Sequence, residues 1–295
     1  MSNYHIKHLE EYYQVYRKSI REPENFWEEV AEEHFLWRKK WDKILDWDFS
    51  KPEVKWFEGA KLNYAEHLFR KAKNNETAII FGNESEYIEK ISWLQLKTKV
   101  TSLATYLKSI GVTKGDRVVA FIPNVPEATI AFLAVNSIGA IWSSTSPDFG
   151  AESVVDRFAQ IKPKVLIAVD GYQYNGKPYD KSDVVTNIVE ALPTLKKVLI
   201  LPYLNTDALN HFPENYINIE YIFKNYKGEL TFESVDFNHP IWVLYSSGTT
   251  GLPKAIVHSH GGILLEHLKY MAFHNDVHQG ERFFWFSTTG WMMWN

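Results

Sequence analysis

Between Thr77 and Leu201, short β-rich apolar runs alternate with segments of helical period, and no other feature of the chain constrains its fold as tightly. Residues 77–81 (TAIIF), 117–122 (RVVAFI), 141–143, 165–169 and 198–201 read as strands. Ser92 opens a long amphipathic helix through Trp93, Leu96, Val100, Leu103 and Leu107 that ends near Gly111. Pro126 starts the next helix, which runs through Ala128, Phe132 and Val135 to Gly139, and residues 151–160 and 184–192 continue the alternation. Strands that are apolar along their length, instead of at every second position, suit a sheet covered on both faces. The pattern predicts an α/β fold of mostly parallel sheets flanked by helices.

Residues 1–75 read as a helical leader ahead of this region. Leu9, Tyr12, Tyr13 and Tyr16, then Phe26, Trp27, Val30 and Phe35 after Pro23, recur at helical spacing across the first 55 residues. Asn63 is a suitable cap for a helix over residues 63–73. Residues 205–235 have no clean period and are expected to form an irregular connection with a short strand or two. The chain closes on the apolar run Phe283, Phe284, Trp285, Phe286 and on Trp291, Met292, Met293, Trp294, with no polar cap, which reads as a fold cut through its core.

Composition removes several classes of function. The chain has no cysteine, so disulfide scaffolds, thiolate metal sites and cysteine nucleophiles are excluded. Thirty-two Lys and Arg against 36 Asp and Glu, with no basic block, give no nucleic-acid footprint. The charged, aromatic amino terminus does not read as a secretory signal, and the most apolar stretch, residues 128–142, is interrupted by Asn136, Ser137 and Gly139. These features predict a cytoplasmic protein that does not enter a membrane.

The chemistry concentrates after the strand at residues 241–245 (IWVLY). Ser246, Ser247, Gly248, Thr249, Thr250, Gly251, Leu252, Pro253 and Lys254 follow it, and a second strand is expected over residues 255–258. Glycines let backbone N–H groups converge on an anion, four hydroxyls add donors, and Lys254 supplies a point charge. This is an inventory for phosphate oxygens. It is not the P-loop of NTPases, because Pro253 precedes Lys254 and a strand follows, where that motif needs a glycine before the lysine, a hydroxyl residue after it and a helix.

The run YSSGTTGLPKA resembles the signature loop of the adenylate-forming acyl-CoA synthetases, although many members have Gly where Ala255 stands. Residues 140–177, together with 256–276 and 282–295, resemble the acetoacetyl-CoA synthetases. The leader, residues 16–45 and 55–63, is closer to the acetyl-CoA synthetases. The resemblance implies the N-terminal part of the large domain of such an enzyme, 76–295 being a partial adenylation domain without its C-terminal remainder and lid. It implies a ligase that joins an acid to AMP from ATP and then to coenzyme A. Acetoacetate is the expected acid; acetate or another short acid, or a fragment that only binds ATP, are the alternatives.

By the same resemblance Lys254 and Thr250 carry the catalytic charge neutralisation, with Ser246, Ser247, Gly248, Thr249 and Gly251 completing the phosphate contacts. Mg²⁺ is expected with ATP, held by no protein metal cage. Lys177, in DGYQYNGK, is a candidate for coenzyme A phosphate, while Gln173 stands where relatives carry a basic residue. Trp291, Met292 and Met293 are candidates for the acid pocket; without the resemblance they would read as packing residues, methionine being a general gap filler. His258 and His260, two apart on an expected strand, would share one face, but no third ligand is spaced to complete a metal site.

Overall fold

The computed structural model describes residues 6–48, 50, 52–247 and 251–295. Helices α1 (Leu9–Arg21) and α2 (Pro23–His34) are followed by strands β1 (Lys43–Asp46), β2 (Lys55–Glu58) and β3 (Lys61–Leu62) and by helix α3 (Tyr64–Phe69). Next come β4 (Thr77–Gly82), β5 (Ile88–Ser92), α4 (Trp93–Ser109), β6 (Arg117–Phe121), α5 (Pro126–Ser137), β7 (Ile141–Thr145), α6 (Ala151–Phe158) and β8 (Val165–Val169). The chain continues through β9 (Gly171–Tyr174), β10 (Lys177–Asp180), α7 (Ser182–Ala191), β11 (Lys197–Leu201), β12 (Ile217–Asn218) and α8 (Ile219–Asn225). Then follow β13 (Val235–Asp236), β14 (Pro240–Ser246), β15 (Lys254–Ser259) and α9 (His260–Leu268).

The larger of two compact units comprises Leu68–Glu233, Pro240–Val257 and Phe286–Asn295. Its seven-stranded sheet has the order β12-β11-β8-β6-β7-β14-β15, and the pairs from β12 to β14 are parallel. The α/β expectation holds, and β8 is buried along its whole length. Val119 and Phe121 of β6 pack with Val154 and Phe158 of α6 and with Val185 and Ile188 of α7 on one face. Val118 lies beside Trp142 in the β6–β7 register and so points to the opposite face, where the Phe132 ring of α5 meets Trp142 at 6.2 Å and Trp242 at 5.7 Å. Thus α5, which follows β6, and α6, which follows β7, leave the sheet over opposite faces. That reversal opens a crevice at the carboxyl ends of β6 and β7, the place where open α/β sheets bind ligands.

Local chemistry fixes the helix starts. The Gln95 N–H donates to Ser92 Oγ at 3.2 Å and the Ser92 N–H to Gln95 Oε1 at 2.8 Å, a reciprocal capping box that begins α4 at the predicted residue. Pro126 occupies the first turn of α5, where its missing N–H is not needed. One helix was not anticipated: within 205–235, α8 buries Ile219, Ile222 and Phe223 and is capped by Asn218, whose Oδ1 accepts the Glu220 N–H at 2.8 Å.

The other unit comprises Met1–His67, Ser234–His239 and His258–Trp285. α1 and α2 form as the leader pattern predicts, but the helical run breaks off at His34 and resumes only at α3. Beyond it β1 and β2 pair antiparallel, with Leu45 opposite Trp56. The aromatic spacing there serves a different end: the rings of Trp37, Trp41, Phe57 and Phe237 pack together, with Phe57 5.0 Å from both Trp41 and Phe237. Asn63 caps α3 as predicted, its Oδ1 accepting the Ala65 N–H at 2.9 Å, although the helix ends at Phe69 instead of reaching residue 73.

Candidate functional site

Strand β14 runs parallel to β7, so the hydroxyl and glycine segment that follows it emerges at the carboxyl edge of the sheet. Ser246 closes β14, Ser247 is exposed beyond it, Gly251 takes φ 109°, and Lys254 opens β15 with an exposed side chain. The positive φ at Gly251 is one that other residues adopt only under strain. Gly248, Thr249 and Thr250 lie outside the described residues.

The two stems of this segment are fastened to the end of α6 and to the single 3-10 turn, Ala159–Ile161, that follows it. On the β14 side the Tyr245 hydroxyl donates to the Arg157 carbonyl at 2.7 Å, and burial pushes its pKa well above the ordinary tyrosine value. On the β15 side Gln160 Nε2 donates to the Pro253 carbonyl at 3.0 Å and to the Asp156 carbonyl at 2.7 Å. Between stems and helix lies an open cavity of about 340 Å³, within the size range of small-ligand pockets. Ser247, Gly251 and Pro253 line one side; Glu152, Ser153, Asp156 and Arg157 line the other.

Thr289, Gly290 and Trp294 contact the chain at the carboxyl ends of β6 and β7. The buried Thr289 hydroxyl donates to the Ile122 carbonyl, Ser144 Oγ donates to the Thr289 carbonyl at 2.8 Å, and Trp294 Nε1 donates to Asn124 Oδ1 at 2.9 Å. Gly290 passes so close to β7 that a Cβ there would lie 2.9 Å from the Ser146 nitrogen. Trp291 and Met292 line a small cavity of about 10 Å³ together with Tyr245, Leu244, Ser144 and Arg157. Met293 is exposed and does not line that cavity. The sequence pointed to Trp291 and Met292 but not to Thr289, Gly290, Ser144 or Arg157, whose roles depend on contacts far along the chain.

Lys177 is exposed at the start of β10, in a hairpin with β9 that pairs it with Tyr174. Asn175 and Gly176 form the turn at φ 51° and 72°, a combination diagnostic of a tight hairpin and readable from the sequence as an Asn-Gly pair. Their N–H groups donate to the two carboxylate oxygens of Glu84, each at 2.8 Å, and these bonds hold the Glu84 carboxyl below its ordinary pKa. His258 and His260 do not share a strand face: β15 ends at Ser259, whose hydroxyl caps α9, and His260 is the first residue of that helix. Among the described residues no three His, Asp or Glu side chains gather as ligands for a metal ion.

A family model described as AMP-binding enzyme matches residues 67–294, and one described as the acetyl-coenzyme A synthetase N-terminus matches residues 12–68. The acetoacetyl-CoA synthetase of Macaca fascicularis is 38% identical over 296 residues, which cover 97% of this chain and 44% of that protein. The acetoacetyl-coenzyme A synthetase of Rhizobium meliloti is 42% identical over 281 residues, 94% of this chain and 42% of that one. The solved structure of acetoacetyl-CoA synthetase from Streptomyces lividans superposes with a TM-score of 0.89 at 45% identity, covering 94% of this chain and 43% of that chain. The chain therefore spans less than half the length of the relatives it matches. No helix among the described residues is long and apolar enough to cross a membrane.

Proposed function

The chain belongs to the AMP-binding enzyme family, and on that premise we propose that it carries adenylating machinery of an AMP-forming acetoacetate–CoA ligase. A carboxylate oxygen of the acid attacks the α-phosphorus of ATP, the bond to the β-phosphate breaks, and pyrophosphate leaves. The thiol of coenzyme A then attacks the acyl carbon, and AMP leaves. Residues 1–75 act as leader and 76–295 as the adenylating part.

The observation that carries this reading is the Ser246–Ser247 to Gly251–Lys254 segment, fastened to α6 and the turn that follows it, beside a ligand-sized cavity at the carboxyl edge of the sheet. Neither step needs a protein nucleophile; the protein positions two anions and neutralises charge as pyrophosphate departs. Lys254, Thr249 and Thr250 meet the phosphoryl oxygens, with Ser246, Ser247, Gly248 and Gly251 shaping the clasp. Mg²⁺ accompanies the nucleotide. Glu152 and Asp156, on the cavity wall, are hard oxygen donors of the kind it takes, phosphate oxygens and water completing its shell. Trp291, Met292 and Met293 border the acid, and Lys177 offers a charge to a coenzyme A phosphate. A cytoplasmic setting would supply all three substrates.

The decisive assay is acid-dependent exchange of labelled pyrophosphate into ATP by the native gene product, with acetoacetate, acetate and propionate in parallel. Acetoacetate is expected to drive exchange best. A preference for acetate would favour the second reading, a short-acid ligase, which the match of residues 12–68 supports. No exchange with any acid would leave a nucleotide-binding chain without ligase activity.

A further inference from the structure

We propose that Arg157 is a second cation of the phosphate clasp, gripping the pyrophosphate end of the nucleotide opposite Lys254; this rests on the adenylating function proposed above. Arg157 is half-buried near the end of α6 and lines both cavities of the site. Its Nη1 donates to the carbonyl and to the hydroxyl of Ser153, both at 2.6 Å, and its guanidinium lies 4.9 Å from the Phe149 ring centroid. These contacts hold the fork in one place. They engage only one of its nitrogens, so Nε and Nη2 have no acceptor among the described residues, and although Asp156 is near enough to act on the charge, no described carboxylate makes a direct ion pair with it.

That is unusual for a sheltered base in this unit. The Arg117 guanidinium donates to three carbonyls, those of Ile161, Gly115 and Lys162. Lys99 pairs with Glu127 at 3.0 Å, and Lys164 with Asp116 at 2.6 Å. Arg157 alone among these four faces a cavity with donors to spare. A planar guanidinium suits two phosphate oxygens at once, where a lysine offers a point charge. Tyr245 adds a reason for precision, since it fastens the phosphate segment to the backbone of Arg157 itself. The β14 stem and the second cation are therefore joined by a direct hydrogen bond. Burial lowers the guanidinium pKa, outweighing the opposing pull of the neighbouring Asp156 carboxylate, as expected of a charge partly stripped of water.

The test is titration calorimetry of the native gene product with magnesium pyrophosphate and, separately, with AMP, which lacks the departing phosphates. Arg157→Gln is expected to weaken magnesium pyrophosphate binding about ten- to a hundredfold while leaving AMP affinity unchanged, the loss typical of a charge-assisted contact. Arg157→Lys should recover part of the loss, because it restores the charge without the fork. The Tyr245 bond is to backbone and survives both substitutions. Equal losses for pyrophosphate and AMP would assign Arg157 a purely structural role and overturn the proposal. Undiminished pyrophosphate binding in Arg157→Gln would overturn it while leaving the nucleotide reading standing. If the unaltered protein binds neither ligand, both fall.

Discussion

At the scale of single residues the proposed reading divides the candidate site into charges the ligand would meet and atoms that hold those charges still. Lys254 belongs to the first group. Replacing it with Ala removes a charge-assisted contact and is expected to raise the pyrophosphate KM in the exchange assay about tenfold or more. An unchanged KM would remove Lys254 from the clasp. Gly261 belongs to packing alone: a Cβ there would lie 2.1 Å from the Phe237 ring, so Gly261→Ala must displace an aromatic side chain. Overpacking of this kind costs about 1–3 kcal/mol, and a lowered denaturation midpoint with an unchanged slope is the expected result. Lys254 was open to proposal from the sequence because its type and its place behind a glycine and hydroxyl run suit phosphate chemistry. Arg157 was not, because "arginine on an amphipathic helix" describes a solvated face as well as it describes a phosphate ligand.

Among elements, periodicity found what packing alone decides. α4, α5, α6, α7 and the strands β6, β7, β8, β11 and β14 stand where their apolar spacing puts them, to within about two residues at an end. It failed where a short element draws its stability from a distant partner. β1 and β2 pair across a connection the sequence read as helical leader, and α8 hides in a polar stretch, although Asn218 and the Ile219, Ile222, Phe223 spacing signal it. The β9–β10 hairpin was equally legible in its Asn-Gly turn, while Glu84 as its clasp was not. Glu84 makes a sharp prediction. Its carboxyl is held below the ordinary value of 4.5, so the clasp is complete above that pH and is lost as pH falls through the lower folded value. Protection of the Asn175 and Gly176 amides, their exchange measured relative to the intrinsic rate at each pH, should fall in a step on acidification in the native protein. In Glu84→Gln the same amides should exchange faster than in the native protein at neutral pH and show no step on acidification. If exchange in the native protein shows no such step, Glu84 does not hold the turn.

For the molecule as a whole, acid stability is expected to depend on a buried histidine. His260 is fully buried, its Nδ1 accepts the Tyr64 N–H at 3.2 Å, and burial, with His239 nearby, pushes its pKa down to about 3. The folded chain therefore keeps the ring neutral, while the unfolded chain takes up a proton below about 6.5. Stability is complete above that pH and declines as pH falls from about 6.5 towards 3. His260→Asn keeps an acceptor for Tyr64 and removes the titration. Its Tm should fall less than that of the native protein between pH 7 and pH 5.5; parallel falls would exclude His260 as the source.

The double fastening of the phosphate segment to α6 and its following turn has a wider consequence. Tyr245 is tied to the end of the helix and Pro253 to the turn after it, and the inner face of that helix, through Val154 and Phe158, is part of the hydrophobic core. Substitutions of Phe158 that keep the chain folded can still tilt the helix, and the clasp travels with it. On the proposed reading, grip on the nucleotide would then depend partly on the interior, and a core substitution could tune it without touching a ligand-facing residue.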